Sequence, residues 1–204
     1  MVGRHRIWIG AACVAVIALL GACSSGSSHS PGITGGGSGA PNPNATESNP
    51  AGDIPDAQAF VTYAAPNSTF TVQVPEGWAR TGSGGPIVFT DKYNSIRIET
   101  VTRSSAPTVN SAQTTELPAI RVSAHGFSPG KVQTAQRKAG PAILITYRAD
   151  SEPNPVTGKV AVEAVERYEF WKNSKEVVLT LSAPVGSDNV DPWRRVTDSF
   201  SWQA

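Results

Sequence analysis

The chain has 204 residues with 17 basic and 16 acidic side chains, and its only cysteines are Cys13 and Cys23. A near-neutral balance without basic clusters gives no electrostatic case for nucleic acid or for a polybasic membrane patch. With both cysteines in the first 23 residues, the rest of the chain has no thiol catalysis, redox sensing, disulfide or cysteine-based metal site.

The N-terminus reads Met1-Val-Gly-Arg4-His5-Arg6, then almost wholly apolar from Ile7 to Leu20, then Gly21-Ala22-Cys23. A basic start, an apolar middle and small residues before a break describe a secretory signal peptide over residues 1–22. The apolar run is about 14 residues, short of the roughly 20 a helix needs to cross a bilayer. Its removal takes away Arg4 and Arg6 and no acid, leaving 15 basic against 16 acidic side chains. Leu20-Gly21-Ala22-Cys23 resembles the lipobox of bacterial lipoproteins. That resemblance implies cleavage before Cys23, a diacylglycerol on its thiol, and a freed amine that is often acylated. The expected location is the extracytoplasmic side of the cell membrane, held by lipid on Cys23. Two or more acyl chains, at about 0.8 kcal/mol per buried methylene, suffice for stable anchoring.

Residues 23–58 read as the lipidated cysteine and a flexible tether. Gly, Ser, Pro and Asn fill 22 of the 35 positions from 24 to 58. Such a stretch buries too little surface to offset its chain entropy, and as a coil it spans roughly 30–35 Å. Asn44-Ala-Thr46 and Asn67-Ser-Thr69 match the N-glycosylation pattern, which beside a bacterial lipobox reads as coincidence.

Residues 59–204 read as one globular domain, long enough for a core of its own. Phe70, Val72 and Val74 alternate with Thr71 and Gln73, the period of a half-buried strand. Pro75-Glu-Gly77 supplies a turn, and Ser83-Gly-Gly85 a second one. Ile87 and Phe89 form the next strand, Asp91-Lys-Tyr-Asn94 a hairpin loop, and Ile96, Ile98 and Thr100 its return. Later strand-like runs are 132–139, 142–148, 160–171 and 176–183. Gly140-Pro141 is expected to separate the first two and Lys172-Asn-Ser174 the last two, as antiparallel hairpins. A helix is expected over 111–125, capped by Asn110 and Gly126, with Leu117, Ile120, Val122 and Ala124 toward its apolar face. Pro118 should kink or restart it. A second helix starts near Asp191-Pro192, with Trp193, Val196 and Phe200 at helical spacing. The fold class is α+β, an antiparallel β-sheet flanked by helices.

Tyr63-Ala-Ala-Pro-Asn-Ser-Thr-Phe70, Val72-Gln-Val-Pro-Glu-Gly-Trp78, the lone helix near 111–125, the long hairpin and Asp191-Pro-Trp-Arg-Arg-Val-Thr-Asp-Ser-Phe200 together resemble actinobacterial lipoproteins of the LpqN/LpqT type. Those are related in fold to the Mog1/PsbP superfamily. The resemblance covers about residues 60–204 and implies an α/β/α sandwich around an antiparallel sheet. It also implies a mostly non-enzymatic accessory or binding role. Fold alone does not select among the roles such a superfamily supports.

His125 is the only histidine of the domain, and a polar residue at a helix end describes it better than a triad member. Gly82-Ser83-Gly84 lacks the spacing of a nucleophile elbow. Parity puts Glu163, Arg167 and Glu169 on one face of a strand, which reads as surface charge pairing. Glu166 falls on the other face with Val162, Tyr168 and Phe170, and is the odd carboxylate, with Arg148 a possible partner. Trp78, Trp193 and Trp202 read as core. Trp171 reads as the most exposed aromatic and so as the candidate for ligand or partner binding. No metal-ligand spacing and no cofactor motif are present. The expected function is a membrane-anchored envelope lipoprotein, a non-enzymatic binding module for exported proteins or envelope components. The alternatives are a lipid or glycolipid carrier and an envelope hydrolase. Cys23→Ala is expected to abolish incorporation of radiolabelled fatty acid; persistent labelling would contradict the lipid assignment.

Overall fold

A computed structural model of the chain describes residues 52–66, 69–154 and 156–203. All of these belong to the compact unit Thr46–Ala204. The expected signal segment, Cys23 and the expected tether up to residue 51 lie outside the described residues.

Alternation produces the strands where it was read. Strands β1 (Phe60–Ala64) and β2 (Phe70–Pro75) pair antiparallel, with Phe70, Val72 and Val74 buried. Then follow β3 (Ala79–Thr81), β4 (Ile87–Asp91) and β5 (Asn94–Thr102). After the first helical segment come β6 (Ser128–Arg137), β7 (Gly140–Asp150), β8 (Val162–Lys172) and β9 (Lys175–Pro184). These make a seven-stranded antiparallel sheet in the order β3-β4-β5-β9-β8-β7-β6. A short strand, β10 (Ser201–Trp202), joins β1 and β2 in a three-stranded sheet of order β1-β2-β10.

The turns follow local chemistry. Asn173 and Ser174 both sit at positive φ, 50° and 63°, as a two-residue primed turn requires between twisted strands. The β6–β7 connection is Lys138-Ala139, so Gly140 and Pro141 open β7 instead of separating the strands. Here the register pairs Arg137 with Gly140 and Gln136 with Pro141.

The first helical segment differs from expectation in its caps and its interior. Thr108, not Asn110, is the N-cap: its hydroxyl accepts from Ser111 N–H, and Ser111 Oγ accepts from Thr108 N–H. Helix α1 (Val109–Ser111) leads into a π turn (Ala112–Glu116) and then α2 (Leu117–Ser123). Pro118 explains the interruption, because it lacks an N–H and its ring crowds the carbonyl four residues back. Val122 does not join the apolar face; it is 90% exposed. His125 follows the helix in an exposed turn, where its carbonyl accepts from Asp150 N–H at 2.8 Å.

The large sheet is covered on both faces. One face meets α3 (Val190–Ser199) and the small sheet in the main core, which contains Phe70, Val72, Ile96, Tyr168, Phe170, Leu179, Trp193, Val196 and Phe200. The other face carries a smaller cluster of Ile143 and Ile145 under Ala112, with Val109, Leu117 and Ile120 packed around it. Antiparallel sheets thus dominate, and one face carries a second sheet beside α3 where a pure helix layer was expected.

The domain starts earlier than residue 59. Ile54 is 5% exposed and belongs to the main core. Its N–H donates to Asn189 Oδ1 at 2.8 Å, and Asn189 Nδ2 donates to Gly52 O at 2.8 Å. Gly52 has φ +102°, and a Cβ there would lie 2.4 Å from Ser187 Oγ, so only glycine fits. Residues 52–58 are therefore part of the packed body. Removing Ile54 gives up a core side chain, and the buried Asn189 loses both backbone partners. A protein starting at residue 57 should be roughly 2–5 kcal/mol less stable than one starting at 52, as read from denaturant midpoints. Equal midpoints would contradict the boundary.

Candidate functional site

The face of the large sheet under α1 and α2 carries both the apolar cluster and a network of charges. Parity on β8 points Val165, Arg167, Glu169 and Trp171 toward it. The register sets Glu169 between Ile143 of β7 and Val178 of β9, and Trp171 opposite Glu176. Glu169 is 1% exposed, so it is a buried acid and not the surface charge its spacing suggested. Its Oε1 accepts from Arg167 Nε at 3.0 Å, while Oε2 is buried with no partner among the described residues. Arg167 Nη1 also lies 3.7 Å from Glu99 Oε2, and Glu99 Oε1 accepts from Arg97 Nη2 at 2.9 Å.

Arg103, just past β5, centres a second group of charges on the same face. Its guanidinium lies 2.7 Å from Glu116 Oε1 and 3.3 Å from Glu176 Oε1, and donates to Ser111 Oγ at 3.1 Å. Glu116 belongs to the π turn, so the interruption at Pro118 and the placement of this carboxylate occur together. Glu116 Oε2 is also buried without a partner. The Arg103 carbonyl accepts from Trp171 Nε1 at 2.9 Å. Trp171 is accordingly half-buried and anchored, not the freely exposed aromatic expected.

Trp171 and Glu169 line one cleft of about 380 Å³, between residues 106–109 and the sheet. Its other walls include Pro107, Val109, Thr134, Pro141 and Ile143. That is within the lower part of the range used by small-molecule sites, and apolar walls with one buried polar group are their usual composition. A second, larger cleft of about 510 Å³ opens between the small sheet and β4–β5, lined by Tyr63, Phe70, Ile87 and Ile98 with Glu99 and Lys175.

The other candidates are placed apart. Glu166 accepts from Tyr168 OH at 2.8 Å, so its partner is Tyr168 and not Arg148. Tyr168 OH in turn accepts from Arg137 Nη2 at 2.6 Å, and burial, then Glu166, push its pKa up to about 12. Glu166 and Glu169 face opposite sides of β8 and do not form a carboxyl pair. Trp78 packs edge-on to Trp193 at 6.4 Å, and Trp202 edge-on to Phe200 at 5.1 Å. Among the described residues no three His, Cys, Asp or Glu side chains are grouped to hold a metal ion.

Sequence reading missed Glu116, Glu176 and Arg103. It had one signal for Glu169: β8 carries large apolar residues at both parities, Val165 and Trp171 on one side and Tyr168 and Phe170 on the other. A strand apolar on both sides is covered on both sides.

No protein-family model matches the chain, and no curated protein matches it significantly. Solved structures do match. Cyanobacterial PsbP (CyanoP) from Synechocystis is similar at TM-score 0.53 and 14% identity, over 76% of this chain and 98% of that one. The fold is PsbP-like. The Ran-binding protein Mog1p of Saccharomyces cerevisiae follows at TM-score 0.48 and 11% identity, over 72% of this chain and 96% of that one. LpqN, described as involved in cell envelope biogenesis of Mycobacterium tuberculosis, has TM-score 0.41 and 15% identity, over 73% and 93%. The chain spans about half, 48%, of a Bacteroides thetaiotaomicron protein of TM-score 0.46. At such identities the likeness is one of fold. The Trp171 cleft lies on the face of the large sheet that α1 and α2 cover.

Burial raises the Glu169 carboxyl above its ordinary 4.5; Arg167 opposes this, and Glu176 and Glu116 add to it. Only between the unfolded and native values does the folded protein hold a proton that the unfolded chain has released. Its contribution to stability is present at low pH and is lost as pH rises from about 4.5 through the native value. Glu169→Gln should flatten that decline in a pH series of urea midpoints. An unchanged decline would show that Glu169 titrates normally.

Proposed function

We propose that the chain is a membrane-tethered lipoprotein of the cell envelope whose domain is a binding module and not a catalyst. Its partner is an exported protein or an envelope component, and the tether supplies reach. The observation that carries this reading is the Trp171 cleft: apolar walls, an anchored tryptophan and a buried carboxyl with one unpartnered oxygen. Such a site holds a group in place. The residues best suited to chemistry support the same view. His125 is exposed in a turn, and Glu166 accepts from the Tyr168 hydroxyl, which Arg137 also binds and whose pKa is pushed up to about 12. The lipid attachment rests on the position of Cys23 at the end of the apolar run.

The test is capture from envelope extract by tethered variants. Trp171→Ala should weaken capture about thirtyfold, the ~2 kcal/mol of a buried aromatic anchor, while still melting cooperatively. His125→Ala and Glu166→Gln should leave capture unchanged. Ester or glycoside turnover that disappears with His125 or Glu166, yet survives in Trp171→Ala, would replace this reading with a hydrolase. A lipid-carrier reading draws on the larger apolar cleft; saturable fatty-acid binding lost in Ile98→Lys but kept in Trp171→Ala would favour it.

A further inference from the structure

We propose that the Trp171 cleft receives a lysine side chain presented by a partner protein, with Glu169 as its counter-charge. This rests on the binding-module reading and names what the site binds. Three features of the site select that chemistry.

The first is the shape of the acceptor. Glu169 Oε1 is used by Arg167, and only Oε2 is free. One unpartnered oxygen suits a compact ammonium, whereas a guanidinium fork matches both oxygens of a carboxylate. A buried carboxylate oxygen without a donor is costly, and an incoming N–H satisfies it.

The second is charge. Arg97 and Arg167 balance Glu99 and Glu169, whereas Arg103 alone faces both Glu116 and Glu176. That second set has one more carboxylate than guanidinium, and its Glu176 stands opposite Trp171 in the register. Arg103 is shared between Glu116 and Glu176, and Arg167 between Glu169 and Glu99. One further cation balances the set.

The third is the route in. Pro107, Val109, Pro141, Ile143 and Trp171 give the cleft apolar walls, which suit a four-carbon stem ahead of the charge. Thr134 of β6 lies at its margin, and β6 is the outermost strand of the large sheet. Among the described residues the outer side of β6 has no neighbouring strand, so a partner segment lying along it can direct a side chain over Thr134.

The experiment follows the Trp171 indole N–H by nuclear magnetic resonance in the full-length chain, the signal being assigned with Trp171→Phe. The probes are blocked single residues: N-acetyl-lysine methylamide, its norleucine analogue and its arginine analogue. The lysine compound should shift the signal saturably. Norleucine, with a similar stem and no charge, should bind about tenfold more weakly, and arginine also more weakly than lysine. Glu169→Gln should bring lysine down to the norleucine level. Ala106→Trp, which fills the exposed mouth and leaves Glu169 in place, should abolish the shift. The proposal is overturned by equal binding of norleucine, by tighter binding of arginine, by lysine binding that Glu169→Gln or Ala106→Trp leaves intact, or by no saturation in the wild type. If lysine fails while Trp171→Ala still loses envelope capture, the module reading stands and only the ligand class falls. If that capture is also unaffected, both fall.

Discussion

Phe200 is the residue on which the two sheets meet. Its ring stacks on Phe170 of the large sheet at 4.3 Å, lies 5.5 Å from Phe70 of the small sheet, and takes Trp202 edge-on at 5.1 Å. A three-stranded sheet with strands this short is marginal alone. Here it borrows stability from buried aromatic contact with the larger sheet. The closing segment serves this contact throughout: α3 buries Trp193 and Val196, delivers Phe200, and the chain then returns as β10 to pair with β2. Arg137 ties β6 to the same assembly by donating to Thr197 and to Tyr168.

With that face closed, the opposite face of the sheet is left to one interrupted helical segment. It covers Ile143 and Ile145 but is too short to make the whole face apolar, and arginines and glutamates occupy the remainder. Buried ion pairs are weak contributors to stability, because desolvation offsets most of the attraction. A network that leaves two carboxylate oxygens unpartnered is less favourable still. Its position under a cleft gives it a reason other than stability, since perturbed groups concentrate at functional sites. The π turn fits the same account, for it places Glu116 where Arg103 can reach it and sits at a proline that the segment must accommodate.

Much of the fold was legible because alternation and turn chemistry are local. The pattern at Phe70–Val74, the loop at Lys92-Tyr93 and the spacing of Trp193 and Val196 each needed only neighbouring residues. Ile54 was not legible: one isoleucine among Gly, Pro and Asp has no period, and its partner Asn189 is 135 residues away. Thr108 and Asn110 are both good caps, and only the path of the chain selects between them. Parity put Glu169 and Arg167 on one face correctly, yet parity does not say whether that face is covered. The same limit applies to Trp171, whose side of β8 was right and whose exposure was not. Cys23 remains a statement of sequence alone.

The central claim is that the molecule works by holding a partner at the Trp171 cleft. Photocrosslinking in the intact envelope tests it most directly, with a photoreactive residue at the exposed position 106 and another at the exposed Val122 as control. The account predicts a discrete protein adduct from position 106 that disappears in Glu169→Gln, and none from 122. Adducts of equal yield from both positions, or none from 106, would contradict it.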